Sequence, residues 1–573
     1  MVGLRTSVLP PRPLEQHQTS AVKQTHKLFP CLCSNIAFPQ HINISTCNII
    51  MLSVESSEEH PPALQPDPRE TPSPMVVEVE ADATTSLSRT VAINASLTCI
   101  TGIGNLLAGL LTVCIPVVSK DLHIPPDLQL WPASAFALAC GCLLLPCGAI
   151  ADVLGCRRSC LLGGLLQTAS ALGAGLASTS TQLIALRVTG GLAASFCLPG
   201  AIGAAGHMFP ASSSPRRRSI SFAAMGGGQA VGFGLGLVLG GVFSDTIGWR
   251  WGFYATAVLN AAVLALAVWA LPPTIDGILE KASFSRLVHD IDWVGALLIS
   301  TCLALLSYEL AVATGSNANQ SMREPLNIAL LCIAVALLPA FALWMRRQSR
   351  LSRPTLIPNA LWTNLPFTSM CVTVFLVWGT LNASEQLAAL YFENVLGKST
   401  LTASLYFLPA PICGLLMNIA IGAFLPHLRP SIAVPAACFL SGIAPLLLAS
   451  LCHINGPDYW RGPFQAMALN PIGADLMYTI AILVMTAAFP PQTQALAGGV
   501  FNMLSQIGKS VGIATSALIA RQITSQAGKP DNLESLLLGY KAGWWYNCSL
   551  GFLSVIVSFW GLRSVQKVEV KRD

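Results

Sequence analysis

Charge is what this sequence most lacks. Only 10% of its 573 residues are Asp, Glu, Lys or Arg, where soluble domains carry about 25%, and that shortage excludes an ordinary globular enzyme. The net charge of +5 is small and its basic residues are scattered through short polar breaks, so a nucleic-acid surface is excluded too. No Gly-x-x-x-x-Gly-Lys-Ser/Thr loop occurs, which argues against direct ATP drive. Cys31-Leu-Cys33 and Cys140-Gly-Cys142 have no partner ligands at metal spacing, and no nucleophile–base constellation is visible. The expectation is a non-enzyme without cofactor or metal. The early residues also lack the charged start and continuous apolar centre of a secretory signal.

What is abundant is apolar length: 53% of the residues are hydrophobic. From about residue 92 to 562, runs of roughly twenty apolar residues alternate with short polar breaks about fourteen times. Most of the 18 cysteines fall inside these runs and read as small hydrophobes in lipid. Spans are expected near 92–118, 131–150, 159–179, 182–208, 219–243, 251–271, 293–314, 326–345, 365–391, 401–425, 431–452, 465–489, 492–520 and 542–562. Residues 1–88 are rich in Pro, Ser, Thr, Glu and Gln and read as a disordered cytosolic tail.

Orientation follows from the basic residues. If the N terminus is cytosolic, the inside breaks hold Arg157, Arg158, Arg216, Arg217, Arg218, Arg346, Arg347 and Arg429 among others. The outside breaks hold fewer, chiefly Lys120, Arg250, Lys398 and Arg461. An internal repeat is also legible. Gly148 to Arg158 closes the second span, and Gly422-Ala-Phe-Leu-Pro-His-Leu-Arg429-Pro closes the tenth as a degenerate copy. The glycines and glutamine of the fifth span (Gln229, Gly232, Gly236) return in the thirteenth (Gln506, Gly508, Gly512). The fold class is therefore an all-α polytopic membrane protein of about fourteen helices with both termini cytosolic. It is divided into a six-helix half (89–271), a linker with two extra helices (272–364), a second six-helix half (365–563) and a short tail (564–573).

Several segments carry a family resemblance. Gly148-Ala-Ile-Ala-Asp152-Val-Leu-Gly155-Cys-Arg157-Arg158 resembles the signature loop of the major facilitator superfamily, with Cys156 where the first basic residue of the pattern stands. Its glycines permit a tight turn. Asp152 can accept bonds from a helix N-terminus or an arginine, which would make Gly148, Asp152, Gly155, Arg157 and Arg158 a conformational latch. An inside loop with topogenic arginines is the plainer reading of the same residues.

Leu183-Ile-Ala-Leu-Arg187-Val-Thr-Gly190-Gly191 is similar to the family's second motif, whose arginine is linked to proton coupling. Gly226 to Gly241 resembles the antiporter motif, although Leu237 stands where the family has proline. Its glycines Gly232, Gly236, Gly240 and Gly241 equally fit close helix packing. Trp249-Arg250-Trp251-Gly-Phe253 resembles an element of fourteen-span drug:proton antiporters, and Leu356 to Trp362 resembles the fungal aminotriazole-resistance branch. The resemblance implies the major facilitator fold, with a substrate site between the halves.

Ionisable residues inside spans are costly and functional by default. At about 1.5 Å per residue, Arg187, Glu385, Asp475 and Lys509 come to comparable depth, which places Lys509 to pair with Glu385 or Asp475. A carboxylate shielded from water favours its protonated form, so Glu385 and Asp475 are candidates for carrying a coupling proton and Lys509 for contacting substrate. A static ion pair is the alternative. Gln229, Asn382 and Gln386, with Trp378 and Gln506, are candidate cavity residues. Glu309 reads as interfacial, His207 and His427 as ordinary residues at helix ends. Asn319-Gln-Ser321 is the best glycan acceptor.

The leading functional reading is a secondary active transporter, acting as a monomer in the plasma membrane lipid bilayer. It would export a small molecule (a drug, toxin or secondary metabolite) against entering protons. The rivals are a facilitator or importer of ammonium, borate or an organic acid, and a membrane sensor that does not transport.

Overall fold

The computed structural model describes residues 87–124, 131–210, 215–276, 281–314, 322–357, 359–424, 428–454, 458–489, 493–527 and 532–563. Residues 1–86 of the expected tail, Asn319, Pro358, His427 and residues 564–573 lie outside them. Within them the regular elements are all helical. They are α1 (Leu87–Asp121), α2 (Trp131–Leu154), α3 (Cys156–Leu176), α4 (Ser180–Met208), α5 (Pro215–Asp245) and α6 (Arg250–Ala270). A 3₁₀ turn (Pro273–Asp276) follows, then α7 (Lys281–His289), α8 (Trp293–Thr314), α9 (Pro325–Arg350) and the single turn α10 (Asn359–Trp362). The remainder are α11 (Leu365–Leu390), α12 (Thr400–Phe407), α13 (Pro409–Phe424), α14 (Pro430–Leu451), α15 (Pro463–Ala488), α16 (Gln494–Ala527) and α17 (Leu533–Leu562).

Apolar length sets the long helices, and short polar residues start several of them. The side chains of Thr179, Asn364, Ser399 and Asn532 accept a backbone N–H from the first turn of α4, α11, α12 and α17, as N-caps do. Among the described residues, thirteen helical segments are long and apolar enough to cross a membrane. The expected thirteenth span, α16, is 34 residues long but falls outside that set because Asn502, Ser505, Gln506, Lys509 and Ser510 interrupt its apolar character. The expected span 401–425 is broken into α12 and α13, since Pro409 has no N–H to continue the ladder. A π turn, Tyr391–Val395, extends α11.

The contacts sort into two similar sets. In the first, α1 packs on α5 and α6, α2 on α4, and α3 on α4 and α6. In the second, α11 packs on α16 and α17, α13 on α15, and α14 on α15 and α17. The sets meet where α2 and α4 touch α16 and where α5 touches α12, α13 and α15.

The extra helices sit outside this frame. α8 lies on α2 and α16, with Ser300 Oγ donating to the Cys142 carbonyl at 2.6 Å. α9 packs chiefly on α8 and exposes Leu326, Ile333, Val335 and Leu343, an apolar face suited to lipid. Glu309, expected near the interface, lies in the last two turns of α8. It is 2% exposed, and neither carboxylate oxygen has a hydrogen-bond partner. It lies two helical turns from Cys302, whose thiol contacts the Ala334 carbonyl of α9.

Glycine lets the key pairs approach. A Cβ built on Gly102 of α1 would fall 2.7 Å from the Gly228 carbonyl oxygen of α5. One on Gly232 would collide with the Gly102 carbonyl, one on Gly236 with that of Leu106, and one on Gly240 would lie 2.8 Å from that of Leu110. Gly241 faces the other way, onto Leu401 and Ser404 of α12. In the second set, a Cβ on Gly379 of α11 would lie 2.9 Å from the Gly508 carbonyl of α16, and one on Gly512 would lie 2.5 Å from Gly379.

Candidate functional site

The loop from Gly148 to Arg158 makes two helix-terminus contacts. Asp152, in the last turn of α2, accepts the Ala495 N–H at 3.0 Å and the Leu496 N–H at 2.8 Å. These are orphan donors in the first turn of α16, where a negative charge is also favoured by the helix dipole. Gly148 makes room: a Cβ there would stand 3.1 Å from the Ala495 carbonyl oxygen. Arg218 of α5 adds a second link, donating to Gln494 Oε1 at 2.9 Å. This end of the bundle is therefore closed by contacts between the two sets.

The arginines of the loop work within the first set. Gly155 turns the chain from α2 to α3 at φ +110°, a backbone conformation that favours glycine. Asp276 fills the space beside it and accepts the N–H groups of Arg157 and Arg158 at 2.7 and 3.0 Å. Burial pushes the Asp276 carboxyl up from its ordinary pKa, opposed by those N–H groups and by the two arginines. Arg157 Nε donates to the Leu271 carbonyl at 2.8 Å, and Arg158 Nη1 to that of Leu154 at 2.9 Å. Asp276 was not singled out from the sequence, because it stands 118 residues from Arg158 in an undistinguished turn.

The candidate coupling residues meet in the middle of the bundle. A cavity of about 130 Å³ is lined by Asn105, Gln167 and Gln229 from the first set and by Asn382, Glu385, Asp475, Gln506 and Lys509 from the second, with Trp378, Tyr478 and Phe501 as aromatic walls. Asn470 Nδ2 approaches Glu385 Oε1 at 3.5 Å, while Asp475 Oδ2 is buried without a hydrogen-bond partner. The expected ion pair is not closed: Lys509 has no Asp or Glu oxygen within 4.0 Å among the described residues. The reason is placement. Glu385, Asp475 and Lys509 come from three helices around a void, which holds their charges apart.

Arg187 lies to one side. It lines a small recess of about 30 Å³ with Asn382, Glu385, Gln386 and Lys509. Its Nε donates to the Pro132 carbonyl at 3.0 Å, and its guanidinium sits 4.5 Å from the centre of the Phe136 ring. At 3% exposure it holds α4 to α2 rather than opening onto the main cavity.

The glycine crossings align the two sets residue by residue. Asn105 stands three residues after Gly102, and Asn382 three after Gly379. Gln229 stands three before Gly232, and Lys509 three before Gly512. Asn105 donates to Gln229 Oε1 at 2.9 Å. Asn382 instead donates to the Trp378 carbonyl of its own helix at 2.9 Å. Lys509, not the Gln506 expected from the sequence repeat, is thus the counterpart of Gln229.

At the opposite end, Asp121 Oδ2 accepts Trp249 Nε1 at 3.1 Å and Arg250 Nη1 at 2.6 Å. Arg250 also reaches the Ala177 carbonyl, so the Trp-Arg-Trp element ties α1, α3 and α6 together. Leu356 and Ile357 are buried, and Asn359 Nδ2 donates to the Ala342 carbonyl at 3.1 Å.

Residues 97–513 match the family model described as Major Facilitator Superfamily. The chain is 36% identical to MFS-type transporter 1 of Pyricularia oryzae, covering 83% of this chain and 84% of the relative. It is 25% identical to the low affinity ammonium transporter of Saccharomyces cerevisiae (75% and 79% covered) and 24% identical to the aminotriazole resistance protein of the same yeast (77% and 78%). The human organic anion transporter MFSD10 shares its fold at TM-score 0.54 and 16% identity, over 82% of this chain and 97% of that one.

Proposed function

The chain belongs to the major facilitator superfamily and is a membrane transporter, and from that premise we propose that it exports a small molecule in exchange for protons. The observation that carries this reading is the cavity between the two helix sets, where Glu385 and Asp475 face Lys509 without pairing to it. In this reading the carboxylates take protons from outside and release them inside. Substrate occupies the space between them and the neutral amides Asn105, Gln167 and Gln229. Lys509 shifts its interaction between the carboxylates and the substrate as they change charge.

The basic loops favour the Asp152 end as the cytosolic one, with both termini inside. The Asp152–α16 contact then closes the cytosolic gate, and rocking of the two halves opens it. The branch is the fourteen-span drug:proton antiporters, the membrane the plasma membrane, and the working unit a single chain. The 25% identity to an ammonium transporter favours a second reading, facilitated uptake of a small solute.

One measurement separates them. The protein is sealed into vesicles under an imposed pH gradient and offered aminotriazole and ammonium in turn. Flux that reverses with the gradient is expected. Flux indifferent to the gradient overturns proton exchange and leaves the facilitator, and folded protein with no flux of either solute favours the sensor.

A further inference from the structure

We propose that Asp152, Cys156 and His207 form a binding site for a divalent cation of the zinc class, and that this cation competes with α16 for the Asp152 carboxylate. The three residues end α2, begin α3 and end α4. One ligand atom from each, a carboxylate oxygen, a thiol sulfur and an imidazole nitrogen, lies within 4.8 Å of the other two. Oxygen, sulfur and nitrogen donors together suit Zn²⁺, which binds them at about 2.0–2.3 Å. Ligands at those lengths stand about 3.3–3.8 Å apart in a tetrahedron, so the cluster closes by roughly 1 Å. His207 is exposed, which leaves a route for the ion to its imidazole.

The backbone beneath the cluster is fixed. Asp276 clamps the first turn of α3, and Cys156 Sγ rests against Gly203, where a Cβ would come within 2.6 Å of it. Cys156 also replaces a basic residue of the motif, so a cation that would be repelled there meets a ligand instead.

The consequence comes from which half supplies what. All three ligands lie in α2, α3 and α4, so the site persists when the halves separate. Its competitors arrive with the other half: the Ala495 and Leu496 N–H groups, and the positive end of the α16 dipole. The cation is therefore bound more tightly when α16 has withdrawn. By reciprocity the bound cation favours the unlatched state. This coupling rests on the alternating reading above, whereas the binding itself does not.

The test uses the full chain in lipid nanodiscs, purified without a histidine tag. It is titrated with Zn²⁺ against a chelating indicator, and with Co²⁺ followed by thiolate-to-cobalt absorption. One ion per chain is expected, with the cobalt band lost in Cys156→Ser and affinity at least about tenfold weaker in His207→Ala. Metal-free melting should be unchanged in both. Two variants probe the coupling. Gly499→Leu wedges α16 against the Leu144 carbonyl, which a Cβ there would already approach to 2.9 Å. Leu496→Pro deletes one N–H donor in the first turn of α16, where proline is tolerated. Each should tighten Zn²⁺ binding several-fold. A cobalt band that survives in Cys156→Ser, or wild-type affinity in His207→Ala, overturns the site. Unchanged affinity in both coupling variants overturns the competition with α16.

Discussion

The two halves share a packing device and differ in what they do with it. In the first, α1 and α5 cross on Gly102, Gly228 and Gly232, and the polar pair beside the crossing, Asn105 and Gln229, is closed on itself. In the second, α11 and α16 cross on Gly379, Gly508 and Gly512, but Lys509 stands in the place of Gln229 and Asn382 turns to its own helix. The first half presents neutral amides to the cavity, and the second presents two carboxylates and an ammonium. The two sets of helices therefore share their backbone crossings and differ in the charge that they bring to the cavity.

The comparison breaks most readily at the glycines. Gly232→Leu and Gly512→Leu each drive a side chain into backbone that cannot recede, and each should cost about 3 kcal/mol or more in thermal unfolding in lipid. Loss in one half alone would mean that the crossings are not equivalent. Lys509→Gln gives the second half the residue of the first. It should lower gradient-driven flux at least about tenfold with little change in melting temperature, and wild-type flux would remove Lys509 from transport. Asp152→Asn keeps the side chain's shape but weakens its hold on the Ala495 and Leu496 N–H groups. A shift of about 1–2 kcal/mol toward the open gate is expected. The readout is labelling of Ser505→Cys from the Asp152 side, five- to thirtyfold faster than with Asp152 intact. The smallest effect belongs to Asp121→Asn at the other end. Its pair with Arg250 is 37% and 45% exposed, so under about 1 kcal/mol is lost, fading as salt rises.

How much of this was legible in the sequence depended on contiguity. Asp152, Gly155 and the two arginines could be read as a unit because eleven consecutive residues carry them, and their helix-terminus chemistry follows from residue type. The partners could not. Asp276, Gln494 and Asp121 lie in short polar breaks that carry no pattern, and only the packing of distant helices brings them in. Glu385, Asp475 and Lys509 have depths that follow from the constant rise along a helix, and all three line one cavity. Whether they touch was not legible, because that depends on helix rotation and on a void between the halves. Arg187 shares their depth, and its rotation sends the guanidinium to Phe136, beside a side recess that it lines with Glu385 and Lys509. Glu309 could be placed by depth alone, because the hydropathy of α8 does not reveal which neighbours bury it.

The contact of Asp276 with the first turn of α3 has a consequence for biosynthesis. The bend at Gly155 is enclosed by a residue that the ribosome adds more than a hundred positions later, after α6 is complete. Until then the α2–α3 corner has no clamp on its exposed N–H groups. The first set of helices is therefore finished only when the turn after α6 returns to the α2–α3 corner, and a chain arrested after α4 should expose that corner to a protease that the full chain resists.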